Sequence, residues 1–355
     1  MLEFLLTLAC SAALGFVLWK LHVPGGMMIG AIIAAAALNI TSGLASMPYA
    51  AKFAAQAIAG AFIGVSISRD DLRHLPRLIR PLAVLLGCYM AVCLITGFIV
   101  WRISSLDLMT ALMSCVPGGM SDIPIIAADM GADAPKVAVL HFVRMALGIS
   151  VFPALIRAID KRASRNGESE SPVVQAEDTL PAAPAAKQPQ PKWAFPLCLA
   201  VAFAGGWLVR LTGIPAGTLV GSLLSTMLLK LRFGLGFLPP PVKKLAQAFS
   251  GAYIGCSVGY SDLLELRFLV LPAIVIVVGF GLNCFCTGRI LQKRFGFERK
   301  MSMLAATPAG ATDMALISSD IGVEDPDLVV IQILRMVCVI LIFPQVISLI
   351  VSLVG

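Results

Sequence analysis

The sequence predicts an all-α polytopic membrane protein of about ten transmembrane helices plus two re-entrant, broken helical hairpins, in two inverted-topology repeats. Three observations predict it. Hydrophobic residues make up 58% of the 355 residues and charged ones only 13%, with a mean hydropathy of +0.91. A soluble fold of this size could not hide so much apolar surface. Apolar runs long enough to cross a bilayer recur from end to end, and the second half of the chain repeats the first at one constant spacing.

In chain order, the first half gives spans near 2–20, 25–41, 49–67, 81–101 and 136–157. The second half gives 192–211, 216–231, 243–259, 268–290 and 327–353. Two more apolar stretches, 106–130 and 300–320, are broken in their middles by Pro-Gly or Pro-Ala-Gly. The arms around Pro117-Gly118-Gly119 are about 11 residues each, or ~16 Å of helix, roughly half the hydrocarbon thickness. The first apolar segment carries Glu3 and no basic stretch before it, so it reads as a span and not as a signal peptide. Residues 158–191, poor in apolar side chains and rich in proline, read as a disordered cytoplasmic linker between a first membrane repeat, 1–157, and a second, 192–355.

The repeat is explicit. VPGGMMIG at 23–30 matches IPAGTLVG at 214–221, a spacing of 214 − 23 = 191. AQAIAGAFIGVSIS at 55–68 matches AQAFSGAYIGCSVG at 246–259, and PGGMSDIP at 117–124 matches PAGATDMA at 308–315, both at the same spacing. If 106–130 and 300–320 are re-entrant hairpins, each half has five spans and the halves are inverted; if they cross, the halves are parallel. The positive-inside rule arbitrates. The inverted arrangement puts 20 of the 27 Lys and Arg on the inner face and five on the outer, whereas the best parallel one gives 17 against 8.

The hairpin tips are the sharpest candidates for chemistry. Proline and glycine break a helix at mid-membrane and leave backbone groups orphaned, and a hydroxyl and a carboxylate follow at equivalent positions. The candidates are Pro117, Gly118, Gly119, Ser121 and Asp122 in the first tip, and Pro308, Gly310, Thr312 and Asp313 in the second. Broken helices in both halves of a transporter mark its substrate or ion site. The plainer reading is that Ser121 or Asp122 caps the second arm, but a cap does not require a costly carboxylate in both halves.

Arg144 and Arg335 lie about eight residues into the last span of each half and must pair there, with Asp122, Asp129, Asp313 and Asp320 as the expected counter-ions. A structural pair and an anion-binding role are both open. His141 and Gln332 stand one helical turn before those arginines and share their face, which makes His141 a proton-relay candidate. Gly60 and Gly64, with Gly251 and Gly255, form small-xxx-small patterns that let helices pack closely. SRDDLRHLPRLIRP, 68–81, reads as a basic loop held at the inner face. The nine cysteines lie mostly in apolar spans without a CxxC pair, so neither a disulfide framework nor a zinc site follows.

These motifs resemble those of the AbrB-type bacterial membrane protein family, whose members carry a duplicated domain with PGG and PAG motifs. The resemblance rests on VPGGMMIG and IPAGTLVG, the two AQA glycine segments, and PGGMSD and PAGATD, and it covers nearly all of the chain outside 158–192. Family members are labelled as an ammonia monooxygenase or as a regulator of the aidB gene. A copper or iron monooxygenase needs clustered ligands, whereas His22, His74 and His141 are scattered. A direct regulator needs a DNA-binding module, and no helix-turn-helix or soluble basic domain is visible.

The expectation is therefore a multi-pass protein of the bacterial inner membrane, not an enzyme, without metal or cofactor. It would be a secondary transporter or exporter of a small solute, coupled to H⁺ or Na⁺, with its site at the midplane between the two tips. The alternative is a membrane-bound regulator or sensor affecting gene expression. Its partners would be the lipid bilayer, the solute and the ion, with a homo-oligomer open and no direct nucleic acid.

Overall fold

The computed structural model describes residues 2–23, 25–148, 191, 193–308 and 326–354. The linker 158–190, and Gly310, Thr312 and Asp313 of the second tip, lie outside the described residues. What is described is helical throughout. The first half contains α1 (Leu2–Lys20), α2 (Gly26–Ser42), α3 (Tyr49–Ser66) and α4 (Arg69–Ile103). It continues with two short helices, α5 (Leu108–Ser114) and α6 (Ile123–Asp129), and with α7, helical over 134–148. The second half contains α8 (Ala194–Arg210), α9 (Gly217–Phe233) and α10 (Pro240–Gly255). There follow α11 (Tyr260–Glu265), which passes through a 3₁₀ turn into α12 (Val270–Phe295), then α13 (Arg299–Ala305) and α14 (Pro326–Val354). Each start in α2, α3, α4 and α5 recurs 191 residues later, at Gly217, Pro240, Tyr260 and Arg299.

Local chemistry explains the boundaries. Gly25 and Ala216, the residues before α2 and α9, both adopt left-handed backbone, at φ 64° and 57°. Glycine does this freely; the alanine is held there by its surroundings, at 1% exposure. Gly43 and Gly234 end the same two helices, again left-handed. Ser68 and Asp71 form a reciprocal capping box at the start of α4, with bonds of 3.1 and 2.7 Å. The second half keeps its carboxylate arm, from Gly259 N to Asp262 at 2.7 Å.

That cap overturns one expectation. Residues 68–81 are not a loop: α4 runs on through Pro76 and Pro81 for 35 residues, starting twelve residues before the expected span at 81. The hairpin arms are also shorter than expected, seven residues each in α5 and α6, or about 10 Å of helix. The chain does fold back between them. The Asp133 amide donates to Thr110 Oγ1 at 2.8 Å, which puts the exit of α6 beside the entry of α5.

Among the described residues, four helical stretches are long and apolar enough to cross a membrane: Glu3–Lys20, Asp71–Ile103, Tyr260–Phe295 and Asp327–Val354. Gly26–Ser42 and Ala194–Arg210 are apolar but shorter. Large apolar side chains such as Phe16, Ile95, Leu208 and Leu282 point outward, as they do where the surroundings are lipid.

The helices assemble in two groups. One is α1, α2, α3 with α8, α9, α10; the other is α4, α5 and α6 with α12, α13 and α14, to which His141 and Arg144 tie α7. In the first group, Gly251 and Gly255 on α10 lie so close to α2 that an added Cβ would sit 2.5 Å from the carbonyls of Met28 and Ile32. Gly60 and Gly64 on α3 lie likewise on the carbonyls of Leu219 and Leu223 of α9. The residue order shows α2 running parallel to α10, and α3 parallel to α9. Equivalent helices, by contrast, run antiparallel. Lys52, near the start of α3, lies 5.2 Å from the ring of Tyr253 near the end of α10. Tyr89 of α4 meets Phe280 of α12 at 6.3 Å, and the end of α4 at Ile103 lies beside the start of α12 at Val270 and Leu271.

Contacts between the halves also sort the helix ends into two faces. One face carries the connections at 21–23, 67–68 and 234–239. There Lys244 lies over Trp19 at 3.1 Å, Arg69 donates to the carbonyls of Leu231 and Arg232 at 2.7 and 3.1 Å, and His74 meets Asp327 at 3.1 Å. The other face pairs Arg210 with Tyr49 at 4.6 Å and Lys136 with Glu265 at 2.6 Å.

Candidate functional site

A cavity of about 570 Å³ lies between the two helix groups. One wall is α3 and α10; the facing wall is the first hairpin tip with α7, α14 and Pro308. On α3 the lining runs from Ala55 to Ser66, and on α10 from Ser250 back to Lys243, as antiparallel helices require. Gly118, Gly119, Ser121, Asp122 and Arg144 all line it, whereas Pro117 is buried behind the tip.

The tip is built from the break between the arms. After Ser114 the chain turns through Cys115–Met120, and Gly118 N bonds back to Val116 O at 2.9 Å. Neither hydroxyl nor carboxylate caps α6: Asp122 occupies the cap position without making the capping hydrogen bond. Its carboxylate lies instead over Gly119, where a Cβ would come within 2.5 Å of Oδ2. Across the cavity, Gln247 Nε2 donates to Ser121 Oγ at 2.9 Å. Lys243 attracts the Asp122 carboxylate, but among the described residues no ion pair closes between them.

Of the expected counter-ions, Asp122 and Asp129 do not pair with Arg144, and Asp313 and Asp320 lie outside the described residues. The Arg144 guanidinium donates to Val116 O at 2.6 Å and Gly118 O at 2.8 Å, and lies 5.3 Å over the Phe280 ring. An interrupted helix exposes partly negative carbonyls at its C-terminal end, and a buried cation satisfies them. His141 completes the arrangement. Its Nε2–H donates to Met113 O at 3.1 Å, which leaves Nδ1 to accept from Arg144 at 3.2 Å. Both ring nitrogens are thus engaged in holding the hairpin, with none turned to a proton path.

The second half repeats the pattern at the same separation of 28 residues. Gln332 donates to Leu304 O at 2.9 Å and Arg335 to Thr307 O at 2.6 Å. Arg335 also donates to the Tyr89 hydroxyl at 3.0 Å and does not line the cavity.

Sequence reasoning missed Lys52. It was expected at the outer surface, yet it is only 3% exposed. Its ammonium pairs with Asp129 Oδ1 at 2.6 Å, while Gln56 donates to Oδ2 at 2.6 Å and to Ile125 O at 3.3 Å. Tyr49 and Tyr253 flank it at 5.6 and 5.2 Å. This cluster sits one turn before Ala55, where the cavity lining on α3 begins, and so seals that end. The opposite end is at Lys243, which is exposed. Asp129, expected as a partner for arginine, belongs to this seal. Among the described residues no three His, Cys, Asp or Glu side chains converge as a metal site needs.

Fold and cavity together define a class: an all-helical protein of membrane type, with a ligand-sized cavity framed by a broken-helix hairpin. The chain belongs to the AbrB family, whose model, described as "Transition state regulatory protein AbrB", matches residues 1–160 and 171–351. Its relatives include "Uncharacterized protein YhjN" of Bacillus subtilis (strain 168), 25% identical over 97% of this chain and 92% of that one. Another is "Putative regulator AbrB" of Escherichia coli (strain K12), 24% identical over 96% of this chain and 94% of the relative.

Proposed function

We propose that the chain is a secondary transporter of a small solute in the bacterial inner membrane, with about ten spanning helices and two re-entrant hairpins in inverted repeats. It would carry no cofactor and act without enzymatic chemistry. The antiparallel course of α3 against α10 and of α4 against α12 supports inversion. So does the sorting of helix ends, since one face gathers Arg69, Arg73, Arg77, Arg80, Lys230, Arg232, Lys243 and Lys244. The positive-inside rule makes that face cytoplasmic.

One observation carries the reading. The cavity is sealed at the Lys52–Asp129 end, open at the Lys243 end, and holds Ser121 and Asp122 of a broken helix between the two. A transporter needs such one-sided access, and Asp122 is the group to bind the coupling ion. Movement of one helix group against the other would open the sealed end and close the open one. The test is solute uptake into proteoliposomes, screened over small organic acids and amines, with Asp122→Asn beside the native protein. Uptake should disappear in the variant while its gel-filtration profile and thermal unfolding stay native. Undiminished uptake would remove Asp122 from the mechanism.

A second reading draws on the word "regulator" in the printed name of the Escherichia coli relative. A sensor would use the same cavity to read its ligand and would signal through the 158–191 segment. Deleting that segment separates the readings, because a sensor would lose regulation while uptake persisted.

A further inference from the structure

We propose that the cavity takes a small organic anion with an apolar body, its negative charge received by Arg144. This rests on the transport reading only in identifying the cavity as the ligand site. The charges on its described lining are Arg144, Lys243 and Asp122, a surplus of one positive charge. Lys243 and Asp122 attract each other, so the surplus resides at Arg144.

That arginine is 3% exposed, and its partners are carbonyl dipoles, one neutral imidazole and an aromatic face. None of them carries a formal negative charge. A buried cation without a counter-charge is costly, and an anion entering the cavity supplies what the described residues leave out. Arg144 Nε and Ser250 Oγ are buried and have no hydrogen-bond partner, and they belong to opposite walls. A carboxylate accepts from both kinds of donor. The rest of the lining describes the other end of the ligand. Phe62, Ile63, Met120, Met145 and Met336 are apolar, and methionine adapts to bodies of varied shape. A cationic ligand would be repelled by Arg144, and the one carboxylate on the described lining, Asp122, already has Lys243 on the same lining to attract it.

The test uses the full-length purified protein and three probes of one size: benzoate, benzamide and benzylamine. Calorimetry should show benzoate binding, with benzamide and benzylamine at least about tenfold weaker, the range for a hydrogen bond to a charged group. Benzylamine binding as tightly as benzoate, or tighter, would overturn the proposal. Arg144→Gln should weaken benzoate by about tenfold or more, and Ser250→Ala by about threefold. If Arg144→Gln does not fold, because the hairpin loses its tie, Ser250→Ala decides: unchanged benzoate affinity there counts against the site. The transport reading fails separately. Benzoate that binds without any solute being taken up refutes transport and leaves the anion site standing. Uptake of another solute that benzoate neither binds beside nor competes with refutes the anion site and leaves transport standing.

Discussion

Replacing Asp129 by asparagine tests the sealed end of the cavity. In the pair it breaks Lys52 is buried, with 4% of its side chain exposed, whereas Asp129 is an exposed residue and keeps 18% of its side chain open; the pair closes at 2.6 Å. Removing one partner of a buried pair costs about 3–5 kcal/mol, because the remaining charge is left without compensation. Lys52 keeps two tyrosine faces, each worth about 0.5–2 kcal/mol, and asparagine keeps one oxygen for it. The net loss to the sealed arrangement is then about 2–3 kcal/mol, a shift of roughly 30- to 150-fold toward opening, since 1.4 kcal/mol is tenfold. The opened arrangement already hydrates both groups and loses little. A reporter cysteine at Ala59, on the cavity wall, reads the change; no native cysteine lines the cavity. A membrane-impermeant thiol reagent added on the Lys52 side should label Ala59→Cys at least about tenfold faster in the asparagine variant, a conservative reading of that shift. Lys52→Met with Asp129→Leu should restore slow labelling, because apolar pairs replace buried ion pairs without loss. An unchanged rate in a folded Asp129→Asn protein, labelled normally from the Lys243 side, would refute the seal.

Two further outcomes follow from the geometry. Gly251→Val should lower the thermal unfolding temperature in detergent, by the equivalent of about 1–3 kcal/mol, because a Cβ there would sit 2.5 Å from Met28 O. A variant that unfolds with the native protein would mean that α2 and α10 separate without cost. Cysteines placed at Ser104 and Ala132, flanking the first hairpin, should both be labelled from the Lys52 side, opposite to one placed at Gly236. Labelling of Ser104 and Ala132 from opposite faces would turn the hairpin into a full crossing.

The helix plan was legible wherever the chain states it twice. Gly26 and Gly217, or Leu108 and Arg299, open helices at the spacing that the motifs alone establish. Misreadings came where two signals competed. The charges of 68–81 suggested a basic loop, while Ser68 and Asp71 already spelled a helix start, and α4 runs from that cap past Pro76 and Pro81. Arg144 was assigned a carboxylate because a buried charge needs compensation. A broken helix offers carbonyls within reach of the next span, and Arg144 takes two of them. Lys52 was read as a surface charge, although Lys52 and Gln56 recur as Lys243 and Gln247, the signal that would have found it. What no pattern could supply was the partner of each, since that depends on how the two helix groups are set against one another.

That difference between equal clusters is the most informative feature of the molecule. Lys52 and Gln56 close on Asp129 at the end of the hairpin. Their counterparts behave otherwise: Gln247 holds Ser121 at the hairpin tip, and Lys243 stands exposed at the mouth of the cavity. The side chains are the same in both halves, so chemistry alone does not dictate which partner each takes. In the transport reading proposed above the two halves exchange these arrangements, and a ligand shifts the balance by its differential affinity for them. The proposed ion at Asp122 and anion at Arg144 would bear on that balance directly, because both residues belong to the hairpin wall that faces α10. In the proposed cycle a bound solute has to outweigh the seal at Lys52, which loss of the Asp129 charge would weaken by about 2–3 kcal/mol.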